Sequence, residues 1–245
     1  MNKQFINQKP NKVPIKARFS KLLGKNFGGM ITKILIAINV LIFIMMEING
    51  GSKNFDILLR FGAMQNYRLL ELGEYWRLFT AMFLHIGFAH LLMNMYALYY
   101  MGDVFEHLYG SIKFLIMYIL MGFFGNLLTF AINDPMLISA GASTAIYGLF
   151  GLSIAIKVIY KKIPQLKSFG SSFTSIIVIN LIYSFINPTV SLVGHVGGLI
   201  GGIVAGMIFP ISAVKRHHKK IIRIIGLVLF IILSIVLFNM AKIEI

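Results

Sequence analysis

The chain has 245 residues, of which 58% are hydrophobic and 13% charged, and its mean hydropathy is +0.81. Apolar runs of this length exclude a soluble domain with a one-sided core and predict an all-α polytopic membrane protein. The formal net charge of +15 at pH 7 admits a nucleic acid or a membrane surface as partner, and the lack of cysteine excludes disulfides, thiolate catalysis and Cys-ligated metals.

Seven apolar segments are predicted to cross the bilayer, after a polar and basic tail at residues 1–28. No small-x-small cleavage site follows the first segment, which indicates an uncleaved span rather than a signal peptide. Several segments are shorter than the ~20 residues that cross a ~30 Å hydrocarbon core, so their ends are only loosely defined. The predicted spans are Ile31–Ile48, Ile86–Phe105, Ile112–Ile132, Ser143–Val158, Phe173–Ile186, Leu192–Phe209 and Ile224–Phe238.

The basic residues form three clusters that alternating spans place on one side of the membrane. These clusters lie before or at the first span, within residues 157–167 and within residues 215–223. Because cytoplasmic loops carry an excess of Lys and Arg, this side is predicted to be cytoplasmic, with the N-terminus inside and the C-terminus outside. The basic tail then fixes topology and contacts anionic lipid, and no nucleic-acid partner is expected.

The longest extracytoplasmic connection is predicted at residues 49–85, between the first two spans. It contains Trp76 and Arg77 within an amphipathic stretch at residues 75–79. Such a stretch is typical of a segment that lies in the membrane interface.

Two of the later spans carry small residues at helical spacing. The sixth span has Gly194, Gly198, Gly202 and Gly206, and the fourth has Gly141, Ala145, Gly148 and Gly151. A helix face with almost no side chains lets a neighbouring helix approach to backbone distance. Close packing of these two helices is therefore predicted, and it would bring Ser143 and His195 together.

Ser143 and His195 have the residue types of a nucleophile and its base. Serine needs a base to remove its proton, and a histidine with an ordinary pKa of ~6.5 suits that role near neutral pH. The fourth span is only about 24 Å long, against a core of ~30 Å, so we expect Ser143 in a cavity open to the outside. No carboxylate is available, which predicts a dyad whose imidazole is held by packing or by the ring of Tyr147.

His90 and Asn94 are four residues apart on the second span and project from one helical face. Two polar side chains in an apolar helix are costly unless they are satisfied or functional. Pointed at the Ser143 cavity, they could donate hydrogen bonds to the oxyanion of a tetrahedral intermediate, together with the backbone N–H of Ser143.

Each of these signals, taken alone, also has a structural interpretation. A Gly-x-Ser in a membrane helix is usually a packing motif, and a buried histidine or asparagine can simply join two helices. Only their joint occurrence toward one side of the membrane favours catalysis. We interpret His85 and Glu106 as structural, and His217 and His218 as part of a solvated basic turn.

Other hydrolase chemistries fit the sequence less well. A His-Glu-x-x-His metalloprotease motif is absent. The acidic residues lie in loops or near span ends, which disfavours an aspartyl protease. The half-match to Gly-x-Ser-x-Gly at residues 141–145 would need alternating strands and helices, which seven apolar spans do not supply.

The combined pattern resembles the rhomboid family of intramembrane serine proteases, across roughly residues 30–210. The matching residues are Trp76, Arg77, His90, Asn94, Gly141, Ser143, Tyr147, His195 and Gly198. The resemblance implies a Ser143–His195 dyad with Tyr147 stacked on the histidine. It also implies an oxyanion hole formed by His90, Asn94 and Ser143, with Gly141, Trp76, Arg77 and Gly198 in supporting positions. The Trp76–Arg77 loop would lie partly in the membrane, and a gate near the second and fifth helices would admit the substrate.

The implied architecture is a rhomboid-like six-helix catalytic core at residues 29–212, followed by a basic loop and a seventh transmembrane helix at residues 213–245. Thr144 stands where the family often has glycine. Its β-branched side chain is therefore expected to crowd the oxyanion site.

The predicted function is a serine endopeptidase, an integral protein of the bacterial cell membrane. It would cleave single-span membrane proteins near their extracytoplasmic side, among membrane lipids and with no cofactor or metal. The alternative is a catalytically inactive relative that binds transmembrane clients, which is favoured if Thr144 blocks the oxyanion hole. A small-solute transporter is a weaker third hypothesis, because no buried acid or inverted repeat is visible.

Overall fold

The computed structural model describes residues 29–187 and 190–241, and the predicted tail at residues 1–28 lies outside the described residues. The described chain is α-helical apart from two short antiparallel strands, β1 (Met64–Gln65) and β2 (Ile138–Ser139). The α-helices are α1 (Met30–Ile48), α2 (Phe55–Phe61), α3 (Asn66–Glu71), α4 (Arg77–Thr80), α5 (Phe88–Ala97), α6 (Asp103–Tyr109), α7 (Ser111–Ile132), α8 (Ser143–Ile159), α9 (Pro164–Ser172), α10 (Thr174–Ile186), α11 (Leu192–Ile208) and α12 (Lys220–Met240). Two 3₁₀ turns, Ala81–Phe83 and Ser212–His217, and a π-helical segment, Leu98–Gly102, join them.

Four stretches of the described chain are long and apolar enough to cross a membrane: α1, α7, the α9–α10 segment and α12. A fifth is formed if Arg77–Phe83 and Phe88–Tyr109, which bend by 92° at their junction, are counted as one span. Helices α8 and α11 are apolar but shorter. The prediction of an all-α membrane architecture is confirmed. The second apolar segment extends further than predicted, because the π segment carries the helix past Phe105 to Tyr109.

Two carboxylates hold the start of α1 against α6. Glu106 accepts hydrogen bonds from the backbone N–H groups of Ile31 at 3.1 Å and Thr32 at 2.8 Å. Asp103 accepts one from the N–H of Gly29 at 2.6 Å. The first N–H groups of a helix have no intrahelical acceptor and carry its positive dipole end, so both carboxylates are well placed. The expectation that the protein buries no acid is therefore wrong, and the structural interpretation of Glu106 is confirmed.

Helices α8 and α11 touch backbone to backbone, as the glycine spacing predicts. A Cβ on Gly198 would lie 2.0 Å from the carbonyl oxygen of Thr144. A Cβ on Gly202 would lie 1.9 Å from the carbonyl oxygen of Gly148. Neither distance can hold a side-chain atom, so the two helices approach this closely only with glycine at these positions. This pair forms the centre of the described fold.

The connection between α11 and α12 packs against the far end of α8. His218 is buried, and its Nδ1 lies 2.8 Å from the hydroxyl of Tyr160. Its Nε2 lies 2.8 Å from the carbonyl oxygen of Met207. Burial lowers the pKa of His218 from its ordinary value, which favours the neutral ring. The prediction of a solvated turn is therefore wrong for His218, because two partners distant in sequence satisfy its ring.

Candidate active site

Ser143 is the first residue of α8 and follows a turn that requires glycine. Gly141 has a φ of +145°, and a Cβ there would lie 2.8 Å from the ring of His90 and 3.5 Å from Oγ of Ser143. Any larger residue would therefore be strained and would strike the ring. The turn brings the Ser143 hydroxyl and the His90 ring to the same small space, and Ser143 itself is half-buried.

The backbone just before Ser143 is held by a histidine from the preceding loop. The N–H of Ala142 lies 3.4 Å from Nε2 of His85, whose side chain is completely buried. The rings of His85 and His90 have centroids 5.1 Å apart. These contacts agree with the structural interpretation of His85, but its position under the turn could not be read from the sequence.

His195 lies in the first turn of α11, which Ser191 caps by accepting a hydrogen bond from the N–H of Gly194 at 3.1 Å. The imidazole is buried and stacks on the ring of Tyr147, with centroids 3.8 Å apart and an interplanar angle of 10°. The predicted stacking of Tyr147 on His195 is confirmed. Because Tyr147 follows Ser143 by one helical turn, the imidazole lies beside the Ser143 end of α8. Within the described ranges no hydrogen bond joins Ser143 to His195.

A second serine, missed by the sequence analysis, contacts the other side of the imidazole. Oγ of Ser184, on α10, lies 2.7 Å from Nδ1 of His195 and 3.0 Å from the hydroxyl of Tyr147. Ser184 and Ile177 are the buried residues of α10. Ser184 is one of several polar residues in this apolar span, with Thr174, Ser175 and Asn180, and the sequence does not reveal which of them faces another helix.

His90 and Asn94 both lie on α5, and their contacts differ. Nδ1 of His90 is 3.4 Å from the N–H of Ile86, so its other ring nitrogen faces the space beside Gly141. The amide of Asn94 is buried and donates a hydrogen bond to the carbonyl oxygen of His90 at 3.1 Å. His90 is therefore brought to Ser143, whereas Asn94 contacts the backbone of its own helix.

Thr144 points away from the space between Ser143 and His90. A Cβ on Gly125 of α7 would lie 2.7 Å from Cβ of Thr144, and a Cβ on Gly194 would lie 3.1 Å from its methyl group. Consecutive residues of a helix project about 100° apart, so a serine that faces the cavity turns its neighbour into the α7–α11 contact. The expectation that Thr144 crowds the oxyanion site is therefore wrong.

Trp76 and Arg77 make their contacts within the first loop. The Arg77 guanidinium donates to the carbonyl oxygens of Leu59 at 2.7 Å and Ala63 at 2.8 Å, and its carbon lies 4.4 Å from the centre of the Trp76 ring. It also forms a 2.6 Å ion pair with Glu74, whose pKa this hydrogen bond holds below the ordinary range. These residues shape the loop and do not touch the imidazole.

The described residues contain no group of three or more His, Cys, Asp or Glu side chains that could hold a metal ion. The polar groups near Ser143 are instead imidazoles, a phenol, hydroxyls and helix N–H groups. Such an arrangement can move a proton and stabilise a negative oxygen.

The sequence is similar to known proteins over most of the residues that the structure describes. A family model of the rhomboid domain matches residues 72–212. The Rhomboid protease GluP of Bacillus subtilis is 40% identical over 168 residues, which are 69% of this chain and 32% of that protein. The putative rhomboid protease YdcA of the same organism is 32% identical over 127 residues, 52% of this chain and 63% of that protein. Rhomboid-like protease 1 of Toxoplasma gondii is 29% identical over 211 residues, 82% of this chain and 70% of that protein. The alignment thus spans about a third of the GluP relative's length.

Proposed function

Because this chain belongs to the rhomboid family, we propose that it is an intramembrane serine endopeptidase with Ser143 as the nucleophile and His195 as its base. The observation that carries the proposal is the 3.8 Å stack of Tyr147 on His195, one turn from Ser143. This stack supports the proposal because it holds the plane of the imidazole without a carboxylate. The chain itself is an integral membrane protein.

The dyad would act by ordinary acyl transfer. Oγ of Ser143 attacks the scissile carbonyl carbon while Nε2 of His195 takes its proton. The resulting imidazolium gives that proton to the leaving amine as the peptide C–N bond breaks, which leaves an acyl-enzyme on Ser143. Water then attacks the ester with His195 again as base, releasing the new carboxylate and restoring the serine hydroxyl.

The oxyanion of each tetrahedral intermediate would lie between α8 and α5. The backbone N–H of Ser143 is at the free N-terminus of α8, where helix N–H groups have no intrahelical acceptor and the dipole is positive. Nδ1 of His90 accepts from the N–H of Ile86, so its Nε2 carries the proton and can donate. Asn94 donates to the carbonyl oxygen of His90 with one amide hydrogen and keeps the other for the oxyanion.

The topology follows from the seven apolar segments and the basic clusters. We place the six-helix core at residues 29–212 and a seventh membrane helix within residues 213–245, with the basic tail at 1–28 in the cytoplasm of a bacterial cell. Helix α8 then opens on the extracytoplasmic side, with Ser143 below the membrane surface. Because the chain has no cysteine, single cysteines give a clean test: Gly51→Cys and Asp134→Cys should react with an impermeant thiol reagent from outside, and Lys162→Cys should not. The reverse labelling would overturn this orientation.

The substrates would be single-span membrane proteins, cut near the extracytoplasmic end of the span. A scissile carbonyl inside a helix is hydrogen-bonded and shielded, so the substrate must unwind locally before attack. Helix-breaking residues, with a small residue at the cut, are therefore expected in good substrates.

The proposed activity is tested in lipid vesicles with the purified protein and a model single-span substrate. Wild-type protein should cut it, and Ser143→Ala and His195→Ala should not. Ser153→Ala is the matched control, because it removes a buried hydroxyl of the same helix whose hydrogen bond within the described residues goes to the carbonyl oxygen of Phe150. A chelator should leave cleavage unchanged.

Equal cleavage by wild type and Ser143→Ala would overturn the dyad. A wild-type protein that fails to cut, but still retains the substrate helix on an affinity resin, would establish the alternative of an inactive client-binding relative.

A further inference from the structure

Among the described residues, the hydroxyl of Ser184 has three polar neighbours although it carries a single proton. It lies 2.7 Å from the carbonyl oxygen of Asn180, 2.7 Å from Nδ1 of His195 and 3.0 Å from the hydroxyl of Tyr147. The side chain is 3% exposed. All three contacts have hydrogen-bond length, so their donors and acceptors must be compatible.

Counting protons selects one arrangement of this cluster. A carbonyl oxygen can only accept, so Ser184 satisfies its bond to Asn180 only by donating its one proton there. The oxygen of Ser184 must then accept from its other two neighbours. Tyr147 donates its O–H, and His195 donates a proton from Nδ1. In a neutral imidazole, a proton on Nδ1 leaves the lone pair on Nε2.

We infer that Ser184 is a positioning residue of the proposed dyad, whose hydroxyl accepts a hydrogen bond from Nδ1 of His195 and so keeps Nε2 free to take the proton of Ser143. The inference rests on the proposed function, because it explains how His195 can serve as a base without a carboxylate. The opposite tautomer would present an N–H to Ser143 and could not act. The same bond persists when His195 becomes an imidazolium in the transition state.

Tyr147 and Ser184 constrain His195 in different ways. The stacked Tyr147 ring fixes the plane of the imidazole, but a 180° flip about the Cβ–Cγ bond keeps that plane and exchanges Nδ1 with Cδ2 and Nε2 with Cε1. The Ser184 oxygen lies at the ring edge and favours the orientation that places Nδ1–H against it. Stack and hydrogen bond together leave one orientation and one tautomer.

A purely local role does not account for the geometry of Ser184. Serines within apolar helices commonly bond the carbonyl four residues earlier to satisfy their hydroxyl, and the bond to Asn180 is of that kind. That habit explains neither the 2.7 Å contact with His195 nor its orientation. It also does not explain why Ser184 and Ile177 are the buried residues of α10.

The first test compares the kinetics of Ser184→Ala, Ser184→Thr and Ser153→Ala in vesicles. A hydrogen bond to a group that becomes charged contributes enough that Ser184→Ala should lower kcat about 10- to 100-fold, with KM nearly unchanged. Ser184→Thr keeps the hydroxyl and should retain most of the activity. Ser153→Ala should behave as wild type. Wild-type kcat in Ser184→Ala, or an equal loss in Ser153→Ala, would overturn the inference.

The second test reads the tautomer directly and needs no cleavage. Proteins labelled with ¹⁵N-histidine are compared as Ser143→Ala and as Ser143→Ala with Ser184→Ala, and the His195 signal is identified by its loss in His195→Gln. The first should show protonated Nδ1 and free Nε2, and the second a shift toward protonated Nε2. Protonated Nε2 in the first protein, or identical spectra in both, would overturn the inference. A wild-type protein that does not cut would overturn the proposed function while this measurement still decides the tautomer.

Discussion

Two of the helices that pack against the histidine helix α11 hold it in opposite ways. Against α8 it packs backbone to backbone, with Gly198 and Gly202 leaving no room for a side-chain atom. Against α10 the described contact rests on few groups, because Ile177 and Ser184 are the buried residues of that helix, while Phe185 is 77% exposed.

The difference matters because lipid gives helices little hydrophobic reason to associate. Close packing and hydrogen bonds must supply the attraction. The α8–α11 pair uses close packing along its whole length, which fixes Ser143 relative to His195. Helix α10 buries one apolar side chain, Ile177, and one hydroxyl, with Leu181 partly buried against the same core. We therefore expect the α8–α11 pair, which carries Ser143 and His195, to be rigid. We expect α10 to be the first of these helices to move.

The largest effect is expected from filling the close contact between α8 and α11. In Gly202→Val the new side chain would meet the carbonyl oxygen of Gly148, so the helices must separate. A misplacement of about 1 Å can cost roughly 10²-fold in rate, and valine requires more, so no measurable cleavage and a lower unfolding temperature are expected. Val196→Ala, on the exposed side of α11, is the control. Wild-type cleavage by Gly202→Val would show that the contact is not rigid.

The next largest effect is expected on α5, and it tests whether this helix belongs to the rigid part of the site with α8 and α11. If His90 and Asn94 stabilise the oxyanion, His90→Ala and Asn94→Ala should each lower kcat by about 10²–10³ while the protein stays folded. Met93→Ala, at an exposed position of the same helix, should leave kcat unchanged. Wild-type rates in both folded variants would mean that these residues only pack helices and that the oxyanion is held elsewhere.

The weakly held side is tested by a matched pair of isoleucines on α10. Ile177 is 7% exposed and Ile179 is 65% exposed. Ile177→Ala should destabilise the packing of this helix against the rest of the protein by about 2 kcal/mol, and Ile179→Ala should change it by less than about 0.5 kcal/mol. Hydrogen exchange of the amides at 174–186 measures both. Equal protection in the two variants, or faster exchange in α8 as well, would remove the contrast between the two interfaces.

A smaller effect is expected at Thr144, on the rigid side. Its hydroxyl is buried without a hydrogen-bond partner in the described chain, and its Cβ and methyl group pack at Gly125 and Gly194. Thr144→Val keeps the shape of the side chain and removes the hydroxyl. The free energy of unfolding should therefore change by less than about 1 kcal/mol, and kcat should be preserved. Thr144→Gly should not raise turnover. A clear gain of turnover in Thr144→Gly would revive the idea that this side chain obstructs the oxyanion site.

The smallest effect should come from the first loop, where an ion pair with the partly exposed Glu74 supplements the backbone hydrogen bonds of the buried Arg77. The hydrogen bond from Arg77 lowers the pKa of Glu74, so this pair contributes stability above the ordinary glutamate pKa of ~4.3, and the contribution is lost as the pH falls through the lowered value. Glu74→Gln should therefore be slightly less stable at neutral pH, with the difference vanishing in acid. Thermal unfolding of both proteins across this range measures it. If the difference in stability between wild type and Glu74→Gln persists at the lowest pH, its cause is lost packing and not the ion pair.

Several features of the site follow from sequence patterns that act locally. The glycine spacing on two spans predicts a close helix pair, because it depends only on helical periodicity. Gly141, Ser143 and Tyr147 are close in the chain, so their relative positions on one turn and one helix could be predicted. The stack of Tyr147 on His195 followed once the pairing of those two helices was assumed.

Other features could not be predicted because their partners come from distant segments. Ser184 is 11 residues from His195 in sequence, and Glu106 is 74 residues from Thr32. A polar residue within an apolar span does not indicate which helix it meets. The same limit explains the errors at Thr144 and His218, whose environments are set by neighbours on other elements.

The sequence by itself therefore determined the membrane class and the helical character of the chain, and it predicted which side chains could react, since hydropathy and helical period are properties of contiguous residues. Only the tertiary structure decided which polar group supports His195, where the acids are buried and which way Thr144 points. Those outcomes depend on the angle at which each helix meets its neighbours. That angle is set by packing across the whole bundle, and no single segment encodes it.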